Sequence, residues 1–177
     1  MKEYTMSELP RLASLLKSRN TIDDKIATLI GRTAQTNNIG EYIASIIFRI
    51  TLDEAGKRRG YDGRFSSGAL AGHTVDIQWH PKHDGQLNIK LDALPDYYLV
   101  MTGPEASSSI ASPWVIESIF LFNAGELLNA LRERGVQIGS GTSVTGPLWE
   151  RAEIYPIPRN NRLPLGDEER KLLVLFG

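Results

Sequence analysis

The sequence predicts an α/β fold, more closely an α+β layered domain in which helices flank a mixed central sheet. Between residues 73 and 122, alternating and continuous apolar stretches predict about four or five strands. Segments with apolar residues at helical spacing precede and follow them. Because no repeat or linker divides the 177 residues, we expect a single domain. It would comprise a helical cap (1–38), a core (about 39–135) and a C-terminal wrap (136–177).

Composition excludes several classes of function. The formal net charge of -1 shows no overall basic excess, so a nucleic-acid surface would have to be a local patch. The absence of cysteine excludes disulfides, thiolate zinc sites and a cysteine nucleophile. The sequence has neither an apolar run of the ~18 residues that a membrane span needs nor a signal-peptide core. We therefore expect a cytoplasmic protein without a membrane partner.

Apolar periodicity predicts three helices before the first strand. Two lie within residues 7–36, with Asn20 and Thr21 as the break between them. The third runs from about residue 39 to residue 48, and Glu41 lies in its first turn. Acidic residues are favoured there by the helix dipole, which is the simpler interpretation of Glu41.

The remaining elements follow from strand and capping signals. Residues 73–79 alternate, with Asp76 at the centre of the predicted strand, where Asp is normally depleted. Residues 97–101 are continuously apolar and predict a buried central strand. Asn123 is the expected cap of a helix that extends to residue 134. Further predictions are strands at 86–91 and 114–122, a strand or extended segment at 136–144, a short helix at 148–153, a Pro-rich surface wrap at 154–165 and a final helix at 168–176.

Three carboxylates occur in an order that suggests a common site. Glu41 lies on a helix, Asp62 in the glycine-flanked stretch 60–63, and Asp76 on an alternating strand. If the helix packs over the two strands, the three groups converge on one divalent cation. Asp62 also has a simpler interpretation, since Asp-Gly is a common turn dipeptide.

This layout resembles the PD-(D/E)xK nuclease superfamily, the restriction-endonuclease-like fold. Its core is a helix, a three-stranded meander, a crossover helix and a further strand. The resemblance covers residues 39–130 and implies that Glu41 is the helix acid and Asp62 the acid at the start of the second strand. Asp76-Ile77-Gln78 then stands at the (Asp/Glu)-x-Lys position, with Gln78 in place of the lysine.

The resemblance implies a Mg²⁺-dependent nuclease that hydrolyses DNA phosphodiesters, with Mn²⁺ as an alternative metal. Asp62, Asp76 and Glu41 would be its metal ligands, and Gln78 would complete the catalytic set by holding a water without supplying charge. Lys82 or Lys90 would have to replace the missing charge, although solvated surface lysines are the simpler interpretation. Cleavage of palindromic DNA would predict a homodimer, which no sequence feature requires.

Two other hypotheses remain open. A catalytically degenerate member of the same fold would act in nucleic-acid or protein binding, and Gln78 and the near-neutral charge favour it. An unrelated α/β domain would use the three acids only as caps and turns. His80, His83 and Asp84 have short metal-ligand spacing, but a turn with exposed histidines is the simpler interpretation. The glycine-rich stretch 139–143 lacks the lysine and spacing of a P-loop.

Overall fold

A computed structural model describes residues 8–54, 60–105 and 114–177. In the described chain two helices precede six consecutive strands, and helices and strands alternate after them. The predicted layered α/β architecture is confirmed. The helices are α1 (Leu9–Ile30), α2 (Thr36–Ile47), α3 (Ala124–Glu133), α4 (Gly146–Ala152) and α5 (Asp167–Val174). The strands are β1 (Ile50–Leu52), β2 (Gly63–Phe65), β3 (Thr74–His80), β4 (Gln86–Leu87), β5 (Tyr97–Thr102), β6 (Ser118–Asn123), β7 (Thr142–Ser143) and β8 (Glu153–Tyr155).

The central sheet is mixed and has the strand order β1-β2-β3-β5-β6-β8. The first three strands form an antiparallel meander, β5 pairs with β3 in parallel, and β6 and β8 continue antiparallel. A parallel pair needs a crossover connection, which residues 81–96 provide. That connection contains β4, which pairs with β7 in a separate two-stranded sheet.

Two apolar cores cover the two faces of the sheet. All six residues of β5 are buried, and the first five alternate between the cores: Leu99 contributes to one and Val100 to the other. This explains the continuous apolar run of the strand, since a strand covered on both faces has no solvent side. Helices α2 and α5 contribute Ala44 and Leu173 to the first core, whereas α3 and α4 contribute Leu131 and Trp149 to the second.

The N-terminal segment differs from its prediction. Residues 9–30 form one continuous helix, so the predicted break at Asn20 and Thr21 is wrong. The Thr21 hydroxyl donates to the Lys17 carbonyl at 3.1 Å, four residues earlier. This bond along the helix lets a residue that normally favours caps lie within a helix. The first seven residues lie outside the described chain.

The C-terminal part joins the sheet more closely than its sequence indicates. Ile154, predicted to lie in a surface wrap, belongs to β8 and is 1% exposed. Strand β4 covers only two residues of the predicted 86–91, and β7 only two of the predicted 136–144. Helix α3 begins after Asn123, whose side-chain oxygen accepts from the Glu126 amide at 3.0 Å, so the predicted cap is confirmed. Within 8–54, 60–105 and 114–177, no helix combines the length and apolar character needed to cross a bilayer.

Candidate functional site

Strands β2 and β3 separate at Asp62, and this fork forms one wall of the candidate site. The Asp62 amide donates to the Val75 carbonyl at 2.8 Å, which extends the pairing beyond β2. Two residues further along β3, the Ile77 amide donates to Asp62 Oδ2 at 2.7 Å. Asp62 is 8% exposed, and its carboxylate takes the place of a strand partner for the Ile77 amide. Because the N–H and C=O of a strand residue point to the same edge, the Ile77 carbonyl also points toward the fork.

Asp76, Gln78 and His80 lie on one face of β3 because side chains alternate along a strand. Gln78 Nε2 donates to Asp76 Oδ2 at 2.7 Å and to the Asn88 carbonyl at 2.7 Å. Gln78 Oε1 accepts from the Asn88 amide at 3.1 Å and lies 3.2 Å from His80 Nε2. The Gln78 amide thus links the strand to the segment after β4 and holds one carboxylate oxygen of Asp76.

This network fixes the orientation of the Gln78 amide and the tautomer of His80. The nitrogen of Gln78 faces two acceptors, so its oxygen must face the Asn88 amide and the His80 ring. His80 Nε2 is then the donor. Both N–H groups and both lone pairs of the amide are engaged, so the water-holding role expected of Gln78 would require one of these bonds to break.

Helix α2 brings Glu41 to the same place. A Cβ on the preceding residue, Gly40, would lie 3.2 Å from the Trp79 Cβ on β3, so this glycine allows the close approach of helix and sheet. Glu41 is 2% exposed, and its Oε2 accepts from Arg32 Nη1 at 2.8 Å. Arg32 also donates to the Asp53 carbonyl at 3.2 Å. The Glu41 carboxylate is therefore buried with a cationic partner, as a buried charge requires.

A cleft of about 370 Å³ brings the four predicted site residues together. Glu41, Asp62, Asp76 and Gln78 all line it. Lys90 lines it as well, whereas Lys82 is not among the lining residues. The other side chains that contribute to its wall include Asn37, Tyr61, His80, Asn88 and Tyr98.

Gly60 forms part of the cleft wall under a tight steric constraint. Its φ is +83°, and a Cβ there would lie 2.2 Å from the Ala93 carbonyl oxygen. Any other residue would be strained and would displace the segment that follows Lys90. The glycine-rich stretch 60–63 therefore serves close chain approach at the cleft, in addition to placing Asp62 before β2.

Tyr98 lies beneath the cleft on β5, directly beside Asp76 in the parallel register. It is 1% exposed, and its hydroxyl has no hydrogen-bond partner within the described residues. Burial raises the pKa of Tyr98, and the negative charge of Asp76 raises it further. The site thus contains a neutral, buried hydroxyl donor. A role for Tyr98 as a hydroxyl donor was not expected from the sequence, because the residue is part of a continuous apolar run.

The histidines of the 80–84 turn separate into two environments. His80 lines the cleft, and burial lowers its pKa, with the neighbouring His83 acting in the same direction and Asp84 opposing them. The His83 ring instead packs against Trp149, with ring centroids 4.6 Å apart. His83 thus has an aromatic packing role, which its sequence context did not indicate.

The donor set of the cleft suits a hard cation. Among the described residues, no three or more His, Asp or Glu side chains are arranged as a metal-binding group. Mg²⁺ requires fewer, because it uses one or two carboxylates and keeps several waters. Asp62 and Asp76 both line the cleft, and with the Ile77 carbonyl they are the types of oxygen ligand that Mg²⁺ prefers, so the residues present fit the group in their chemistry. That they hold a cation stays a prediction. Since Glu41 pairs with Arg32, its role as a further metal ligand stays a prediction.

No protein-family model matches the chain, and no curated protein matches it.

Proposed function

We propose that this protein is a metal-dependent phosphodiesterase that cleaves DNA at the cleft between α2 and the β2–β3 fork. The observation that carries the proposal is the meeting of Asp62, Asp76 and Lys90 around one cleft. Carboxylates that hold a cation, beside a fixed positive charge, suit the cleavage of an anionic phosphodiester. The cleft also contains neutral donors for phosphate oxygens, including Asn37.

The order of the elements supports the resemblance to the PD-(D/E)xK superfamily. Helix α2 precedes an antiparallel meander of β1, β2 and β3, and β5 returns parallel to β3. Asp62 directly precedes the second strand and Asp76 lies on the third. The crossover departs from the family pattern, because residues 81–96 carry β4 and not a helix. That departure brings Asn88 and Lys90 to the cleft.

In this proposal each side chain has a distinct task. Asp62 and Asp76 would hold the cation, which would supply an activated water and positive charge for the phosphodiester. Gln78 fixes the orientation of Asp76 through the bond to its Oδ2. Lys90 supplies the positive charge that the motif lysine would otherwise bring, from the segment that Gln78 holds through Asn88.

The buried parts of the cleft support these groups. Glu41 and Arg32 form an ion pair that anchors the start of α2 to the β1 end through the Asp53 carbonyl. Tyr98 offers its hydroxyl as a neutral donor beneath Asp76. Burial lowers the pKa of His80 and so favours the neutral ring, whose Nε2 donates to Gln78 and stabilises the amide network.

A second function, phosphate-backbone binding without cleavage, has one observation in its favour. The Gln78 amide is engaged by four groups in the fold, and it brings no charge to the position where the motif has lysine. If Lys90 does not compensate, the cleft would bind a metal and nucleic acid without turnover. The two functions differ only in the rate of cleavage.

A cleavage assay tests the proposal. Fluorescently labelled duplex and single-stranded DNA would be incubated with wild-type protein and Mg²⁺ or Mn²⁺. Asp76→Asn, which keeps the shape but removes the charge, is expected to lower the rate by about 10²-fold or more. Asp92→Asn, a change at an exposed acid of the same region, is the control and should cleave like wild type. Equal cleavage by wild type and Asp76→Asn, or none by wild type, would contradict catalysis at this cleft.

A further inference from the structure

Helix α1 carries an apolar surface that the described fold leaves largely uncovered. None of its 22 residues is buried, and residues 9–22 are all exposed. Its partly buried residues, 23, 26, 27 and 30, all lie in the second half. The first half therefore extends beyond the rest of the described chain. Large exposed apolar patches on a protein surface mark interaction sites.

The apolar residues follow a heptad pattern. Positions spaced three and four apart form a seam, which we call the α1 seam: Leu12, Leu15, Arg19, Ile22, Ile26 and Leu29. Four of these side chains are large, apolar and at least half exposed, with Leu12 at 50%, Leu15 at 60%, Ile22 at 57% and Leu29 at 74%. Such spacing is typical of helices that pair along their length. At 1.5 Å per residue, the helix offers about 33 Å for pairing.

We infer that the α1 seam is an interface between two copies of this chain, paired antiparallel about a two-fold axis. Arg19, the polar member of the seam, determines the orientation. In an antiparallel pair that aligns Leu12 with Leu29 of the second copy, Arg19 lies opposite Ile22 and next to Asp23 of that copy. In a parallel pair it would face another Arg19, and like charges would repel.

The distribution of charge along α1 agrees with this orientation. The first half carries the bases Arg11, Lys17 and Arg19, whereas the second half carries the acids Asp23 and Asp24 with one base, Lys25. Antiparallel pairing brings the basic half of each helix beside the acidic turn of the other. Arg19 Nε already lies 3.5 Å from Asp23 of its own helix, so a second acid would complete a network.

The available area is sufficient for a specific but modest dimer. Leu9 and Leu16 flank the seam and are also about half exposed. Burying a large aliphatic side chain hides roughly 60–120 Å². The six exposed side chains of each copy (Leu9, Leu12, Leu15, Leu16, Ile22 and Leu29) would bury on the order of 1,000 Å² in total, near the lower bound for specific interfaces. The dimer should therefore dissociate on dilution.

Sedimentation velocity over a concentration series tests the interface on the full chain. Wild type is expected to shift from monomer to dimer as its concentration rises. Leu15→Glu should stay monomeric, because it would bury a carboxylate against Ile26 of the second copy. The matched control, Ala13→Glu, adds the same charge on the opposite side of α1 and should dimerise like wild type. Circular dichroism would establish that both variants keep their helix content.

Disulfide trapping tests the orientation, because the sequence contains no cysteine. Leu12→Cys and isotopically labelled Leu29→Cys would be mixed and oxidised, and the products read by mass. Antiparallel pairing predicts a mixed 12–29 disulfide, since identical positions would lie about 25 Å apart along the axis. Predominant 12–12 cross-links would overturn the orientation. A wild type that stays monomeric, or a dimer unchanged by Leu15→Glu, would overturn the interface itself.

Discussion

The Asp62 carboxylate accepts a hydrogen bond from the Ile77 backbone amide, with 2.7 Å between Oδ2 and N. This bond joins the residue before β2 to the centre of β3 at the point where the two strands separate. It holds one carboxylate oxygen of Asp62 against the strand and directs the side chain into the cleft that Asp76 also lines. A structural bond of the fold thus also positions a candidate metal ligand.

Removal of this bond should reduce stability. Ile77 is 5% exposed, so Asp62→Ala would leave a buried amide without its acceptor. We expect the free energy of unfolding to fall by about 1–3 kcal/mol. Asp62→Asn keeps a side-chain oxygen as acceptor, so its free energy of unfolding should fall by less. Urea denaturation of the two variants measures the difference, and equal stability of Asp62→Ala and Asp62→Asn would show that the hydrogen bond contributes nothing.

The stability of Gln78 variants should depend on how many of its hydrogen bonds the new side chain can still make. Gln78→Lys keeps a donor for Asp76 and the Asn88 carbonyl but loses the acceptor for the Asn88 amide. Gln78→Glu keeps the acceptor but faces the Asp76 carboxylate with a second negative charge. We expect wild type to be the most stable, then Gln78→Lys, with Gln78→Glu lower by about 1–3 kcal/mol at neutral pH. Denaturation curves give the order, and a Gln78→Glu variant as stable as wild type would contradict it.

Lys90 and Lys82 form a matched pair for testing the source of positive charge. Both are exposed and lie on the same crossover, but only Lys90 is among the residues lining the cleft. Lys90→Met should lower DNA cleavage by about 10²-fold, as for the loss of one group that stabilises the transition state. Lys82→Met should leave the rate unchanged. Equal effects of the two substitutions would exclude a specific role for Lys90.

The pH dependence of stability should include a contribution from His80. Burial lowers the pKa of its ring below the ordinary value of 6.5. As the pH falls below 6.5, the unfolded chain therefore binds a proton before the folded chain does, and unfolding is favoured. Above 6.5 the ring is neutral in both states and contributes no slope. His80→Gln should flatten the loss of stability on acidification, as measured by urea denaturation at several pH values. An unchanged slope would contradict this assignment.

The local pattern of the sequence was sufficient to predict the strands that carry the site. Alternation across residues 73–79 placed Asp76 and Gln78 on one face, and the apolar run at 97–101 predicted a strand covered on both sides. These features depend on neighbours along the chain, so they can be read from spacing. The gathering of Glu41 and Asp62 at the same cleft was expected from the resemblance.

Contacts between distant segments could not be predicted in this way. The Arg32–Glu41 ion pair depends on how the chain enters α2, and the Gln78–Asn88 contact depends on the path of the crossover. Neither has a sequence signature. Strand β8 was missed because the pairing of Ile154 with the sheet edge outweighs the turn signals of the prolines that follow it. The division into cap, core and wrap stays a prediction.

Isothermal titration of Mg²⁺ tests whether Asp62 and Asp76 hold a cation, on which the proposed cleavage depends. The titration would use wild type, Asp62→Asn and Asp76→Asn, with Asp92→Asn as the control, each with and without a short DNA duplex. We expect wild type and Asp92→Asn to bind Mg²⁺ and both cleft variants to lose this binding. No binding by wild type even with DNA present, or equal binding by all four proteins, would contradict a metal site at the fork.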